Sequence, residues 1–163
     1  MKYMKWMSPG LLVAALMATG CSKPNEPRPV ANNPAASTGG GEDAAHAHGT
    51  GPNGGVVFDL GSQHAEFTVD HPKQRCTILI LGDDETTPTA IAASELTLTI
   101  HETKTKDGTV VEAMTITMSP EDAVDGKASK FVGTDPGIGN VADFDGAVSG
   151  EIDGKPAQGE FKE

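Results

Sequence analysis

The residues best suited to chemistry in this chain are histidines and acids at short spacing. Glu42-Asp43-Ala44-Ala45-His46-Ala47-His48 sets two imidazoles two residues apart, beside two carboxylates. Such groups bind Cu²⁺, Zn²⁺ or Ni²⁺. A structural zinc site needs four fixed ligands, so His46 and His48 alone make only a weak site, or simply a polar linker. A second set is His64 and Glu66, which alternation puts on one face of a strand, with His101 on the outward face of another. If those strands are neighbours, His64, Glu66 and His101 converge on a divalent metal. If they are not, the three belong to a solvated outer face. His71 before Pro72 reads most simply as a strand-end residue.

Other motifs fail on inspection. Asp143-Phe144-Asp145-Gly146 has the start of a calcium loop, but the twelfth position, where the bidentate Glu belongs, is Gly154. Gly137-Ile138-Gly139 lacks the third glycine and the βαβ setting of a dinucleotide site. The chain contains no P-loop, no Gly-x-Ser-x-Gly and no His-Glu-x-x-His. It therefore reads as a non-enzyme, with no cofactor beyond weakly held Cu or Zn.

The amino terminus has an address rather than a reaction. Lys2 and Lys5 precede an apolar run over 11–18, followed by small residues. This is the layout of a bacterial secretory signal, and the run is too short for a bilayer, which needs about 20 residues. Leu16-Met17-Ala18-Thr19-Gly20-Cys21 resembles the lipobox of bacterial lipoproteins, although Ala18 stands where that family usually has Leu. The resemblance implies cleavage before Cys21 and acylation of its sulfur, so that the partner of the amino terminus is a membrane. Ser22 follows, with no Asp there to act as an inner-membrane retention signal. By resemblance the destination is the outer membrane, facing the periplasm. The alternative is an ordinary secretory signal that leaves Cys21 as a free thiol.

Composition sets bounds on partners. The formal net charge is −11, and loss of Lys2 and Lys5 with the leader makes it more negative still. Such a chain is repelled by nucleic acid and by anionic lipid head groups. Trp6 and Tyr3, the only Trp and Tyr, both lie in the leader, so the rest has no such rings for base or sugar stacking. With Cys21 as anchor, Cys76 has no partner for a disulfide. Its setting, Arg75-Cys76-Thr77-Ile78-Leu79-Ile80-Leu81, makes it a small buried hydrophobe.

Three regions follow. Residues 1–20 are the signal peptide. Residues 21–53 carry the lipidated Cys21 and a Pro-, Gly- and Ala-rich tether whose composition predicts disorder; about 30 residues of such coil reach roughly 30 Å. Residues 54–163 form a β-rich domain.

Within it, 56–60, 63–70, 75–81, 95–101 and 109–118 read as strands by apolar alternation or apolar runs. Asp107-Gly108 and Asp153-Gly154 mark hairpins. Ser119-Pro120-Glu121-Asp122 has the signals of a short helix start. Further strands are expected at 127–132, 147–152 and 156–161, with a shorter edge segment at 89–92. Eight or nine short strands predict an all-β fold: an antiparallel β-sandwich, immunoglobulin-like, or a partly closed barrel.

Gly54-Gly55-Val56-Val57-Phe58-Asp59-Leu60, His64-Ala65-Glu66 and Glu95-Leu96-Thr97-Leu98 resemble segments of uncharacterised bacterial envelope lipoproteins. Similar segments occur near periplasmic adaptor subunits of metal-efflux pumps, although this chain lacks their coiled-coil hairpin and lipoyl-like segment. Two functions are expected from this. One is a membrane-anchored periplasmic lipoprotein whose β-domain binds or scaffolds an envelope protein partner. The other is a periplasmic copper- or zinc-binding or delivery lipoprotein using His46, His48, His64, Glu66 and His101.

Overall fold

Alternating apolar residues and two-residue turns build the architecture. The computed structural model describes residues 48–163, so the leader, Cys21, His46 and the tether up to residue 47 lie outside it. Ten strands follow in order: β1 Val56–Leu60, β2 Gln63–Asp70, β3 Arg75–Leu81, β4 Leu96–Ile100, β5 Thr103–Lys104, β6 Val110–Val111, β7 Met114–Glu121, β8 Lys130–Thr134, β9 Asp145–Ile152 and β10 Lys155–Lys162. Eight of them form one antiparallel sheet in the order β1-β2-β3-β8-β7-β4-β9-β10, and β5 and β6 pair as a separate ribbon. The sheet curls until it is nearly closed into a barrel. At the seam, the Gly61 amide donates to the Gln158 carbonyl at 3.2 Å. Gly159 is required there, because a Cβ would stand 1.9 Å from the Asp59 carbonyl oxygen.

The fold class is the one expected, all-β and antiparallel. Gly61, with φ of 63°, lets the chain turn in two residues between β1 and β2. Asp153 and Gly154, both at positive φ, do the same between β9 and β10, as hairpin geometry favours. The enclosed face is apolar. Phe67, Phe131, Ile78, Leu98 and Met118 are completely buried, and Phe58, Phe144 and Phe161 lie beside them. Cys76 is buried as well, its sulfur against Met118 Sδ and the Gly133 carbonyl.

Two expectations are corrected. Ser119-Pro120-Glu121 does not start a helix: it is the end of β7 and pairs with Val132, Phe131 and Lys130 of β8. Pairing of β7 with β4 stops at Met118, so Pro120 lies where one flank of the strand has no ladder for its missing N–H to interrupt. Glu121 serves the sheet instead of a helix cap. Lys130 and Arg75 both reach it, at 2.5 and 2.6 Å. The Lys130 hydrogen bond holds its carboxyl below the usual range.

The second correction concerns the domain boundary. Residues 48–53, expected within the tether, pack on the barrel. Thr50 makes a β-bridge with Val56, and Gly51 is buried.

Candidate metal centre

The β1–β2 hairpin dictates the centre of the site. Its register places Asp59 directly opposite His64, with both side chains on the outer face. His64 Nε2 is 3.4 Å from Asp59 Oδ1. The segment before β1 delivers His48, whose Nε2 is 3.3 Å from Asp59 Oδ2. The two imidazoles meet edge to face, with ring centroids 5.5 Å apart.

The other ring nitrogen of each histidine is already committed. His64 Nδ1 lies 3.2 Å from the Gly82 carbonyl oxygen. A carbonyl can only accept, so His64 Nδ1 carries the proton. His48 Nδ1 lies 3.1 Å from Glu85 Oε1, and an ionised carboxylate also only accepts. Both histidines therefore hold N–H at Nδ1 and aim Nε2 at Asp59. In their neutral form the two imidazoles turn Nε2 lone pairs towards two carboxylate oxygens, a contact that a proton on Nε2 or a bound metal cation makes attractive. One ligand atom each from His48, Asp59 and His64 lies within 4.8 Å of the others, near enough for small side-chain shifts to bring all three to the roughly 2.0–2.2 Å that zinc requires. Fixing Nδ1 by a carbonyl or carboxylate so that Nε2 can ligate is the usual outer-shell arrangement of metal-bound histidine.

The turn after β3 supplies both outer partners. The Gly82 amide donates to the Thr87 carbonyl and the Glu85 amide to the Gly82 carbonyl. Asp84 accepts from the amides of Thr86 and Thr87 and from the Thr87 hydroxyl, at 3.1, 2.8 and 2.5 Å. Those bonds, the Thr87 hydroxyl first among them, hold the Asp84 carboxyl far below its usual range. Glu85 itself sits at φ of 57°, a left-handed conformation that is strained for a residue with a Cβ. Its Oε1, the partner of His48 Nδ1, is also 3.7 Å from His64 Nε2.

Of the residues singled out from sequence, the structure brings together His48 and His64. His101 lies elsewhere. It follows β4, which neighbours β7 and β9 rather than β2, and its Nδ1 is 2.9 Å from Asp145 Oδ2. Glu66 shares the outer side of β2 with His64 but is wholly buried under residues 51–55, where backbone and side-chain amides engage its oxygens. Hence His64, Glu66 and His101 do not converge. Asp59 and Glu85 are the residues that sequence reading passed over. Asp59 had a usable signal: a two-residue turn at Gly61-Ser62 pairs residue 60 with 63, and therefore 59 with 64. Glu85 had none, because it enters through a turn from another part of the chain.

Comparison with known proteins adds no relative: no family model, no curated protein and no solved structure matches the chain.

Proposed function

We propose that this domain binds a divalent transition metal, Zn²⁺ or Cu²⁺, through His48 Nε2, His64 Nε2 and the Asp59 carboxylate. The observation that carries the reading is the direction of the two imidazoles. With Nδ1 of each tied to the Gly82 carbonyl and Glu85, both Nε2 atoms point at one carboxylate, and the three groups together can hold a cation. Nitrogen and carboxylate ligands suit Zn²⁺ and Cu²⁺ rather than Cu⁺, which prefers thiolate and thioether. Three protein ligands leave a position open for water or an incoming donor. Asp59 is 48% exposed, so that position faces outward, which favours uptake and hand-over of the ion over catalysis in a closed pocket.

The site is carried, in this reading, by a lipoprotein anchored through acylated Cys21 on the periplasmic side of the outer membrane. The lipobox-like residues 16–21 support this. Metabolic labelling with palmitate, lost in Cys21→Ala together with membrane retention, tests it; an unlabelled wild-type chain excludes the anchor. A scaffolding role has less support. The large apolar side chains exposed among the described residues are Val110, Val124 and Val141, each on a separate segment.

The metal reading is tested by calorimetric titration of the full chain, held in detergent, with Zn²⁺ and Cu²⁺. Stoichiometric binding that is abolished in the double variant His48→Ala/His64→Ala supports it. Dissociation constants no tighter than about 1 mM, worth only about 4 kcal/mol, reject it.

A further inference from the structure

Glu66 is a carboxylate with no exposed surface, and the metal cluster does not use it. A buried charge is costly unless hydrogen-bonded throughout. Here one oxygen accepts from the backbone amides of Asn53 and Gly55, both at 2.8 Å, and the other from Asn53 Nδ2 at 2.8 Å. All three donors belong to the segment that carries His48. That segment is tied to itself as well: the Gly51 amide donates to the Gly55 carbonyl, and the Gly54 amide to the Gly51 carbonyl, each at 3.0 Å. It lies so close on the carboxylate that a Cβ at Gly51 would stand 2.5 Å from Glu66 Cδ.

The consequence concerns His48. Asp59 and His64 are fixed by the β1–β2 ladder and need no further support. His48 is on no strand, and its segment meets the sheet at the Thr50–Val56 bridge and at the cradle around Glu66. We propose that Glu66 is a positioning residue for the metal centre: its three hydrogen bonds fold residues 50–55 onto β2 and so deliver His48 Nε2 to Asp59 before any ion arrives. This inference rests on the metal reading above. It gives Glu66 a role opposite to that of a ligand, since its oxygens are spent on N–H donors.

The chemistry explains why a carboxylate is needed. Glutamine has the same shape, but one arm of its amide is an NH₂ group. Its oxygen can still accept from the Asn53 and Gly55 backbone amides, but its NH₂ forces the Asn53 side-chain amide to turn over, and every bond loses the charge assistance that roughly doubles its strength. Glu66→Gln should therefore loosen the segment while removing only one charge.

The test uses the full chain in detergent and two readouts. In metal-free protein, nuclear Overhauser contacts between the ring protons of His48 and His64 report the preset geometry. With Cu²⁺ alone, paramagnetic resonance reports the number of imidazole nitrogens on the ion. In Glu66→Gln the ring contact should weaken, and the Cu²⁺ spectrum should shift towards that of His48→Ala. Cu²⁺ affinity should fall about 10–100-fold, the range found for groups that orient ligands. Glu66→Gln added to His48→Ala should cost nothing more.

If Glu66→Gln does not fold, Gly51→Ala displaces the segment by its new methyl group and is expected to give the same two changes. Folded Glu66→Gln and Gly51→Ala proteins that both keep the ring contact and the wild-type spectrum overturn the inference. The metal reading fails separately, if the wild-type chain takes up no Cu²⁺ while its ring contact is present.

Discussion

Asp59 and His64 face each other as a cross-strand pair in the β1–β2 hairpin, with Asp59 Oδ1 3.4 Å from His64 Nε2. With His64 Nδ1 donating to the Gly82 carbonyl, Nε2 is the ring nitrogen turned to the carboxylate. The pair is thus half of the proposed cation site, placed there by the hairpin register.

Replacing Asp59 by Asn removes the carboxylate that faces Nε2 of both imidazoles. Zn²⁺ affinity in Asp59→Asn should fall by more than the 10–100-fold typical of outer-shell changes, because a direct ligand is lost. Calorimetry checks this, and an unchanged affinity would place the ion elsewhere. Metal ligation also requires free Nε2 lone pairs, so protons compete with the ion. Affinity should weaken as the solution is acidified, and two His in the site should make that dependence steeper than in His48→Ala.

Glu85 sets stability against binding. Its left-handed backbone, φ 57°, should favour glycine, so Glu85→Gly is expected to stabilise the metal-free barrel by about 0.5–1 kcal/mol. The same change removes the acceptor of His48 Nδ1, and Zn²⁺ affinity should drop about 10–100-fold. Urea melts in chelator, set beside titrations with metal, should move in opposite directions.

Cys76 gives the alkaline limit. Burial pushes its thiol up from the ordinary 9.0 to about 11. The unfolded chain ionises first, so the thiol's own contribution to stability is constant below pH 9 and is lost as pH rises towards 11, by at most roughly 2–3 kcal/mol. Denaturant midpoints across that window should show the decline, and Cys76→Ala should flatten it. In native protein at neutral pH the thiol should resist aromatic disulfide reagents and react only after unfolding.

Much of the fold can be read from local pattern. Val56–Leu60, Gln63–Asp70 and Arg75–Leu81 have the bounds that alternation and turn residues assign them, because each strand buries one face or both in a single core. Ser119-Pro120-Glu121 misleads because its capping signals are local while its pairing with β8 is not. Residues 48–53 mislead for a related reason. Their Pro and Gly content describes a linker, and what holds them is a carboxylate more than ten residues downstream in β2.

The site divides the same way. His64 and its partner Asp59 are legible from a hairpin, whereas Glu85 and the loss of His101 depend on which strands become neighbours.

One strand has a further consequence. β7 pairs with β4 through Met114–Met118 and with β8 through Ser119–Glu121, so it is the joint between the half of the sheet that bears the proposed metal centre and the half that bears His101. Neither half can melt while keeping its neighbour's edge intact. Amide exchange in β2 and in β9 should therefore report one shared opening free energy rather than two, and an ion bound at the hairpin should slow exchange in both halves of the barrel.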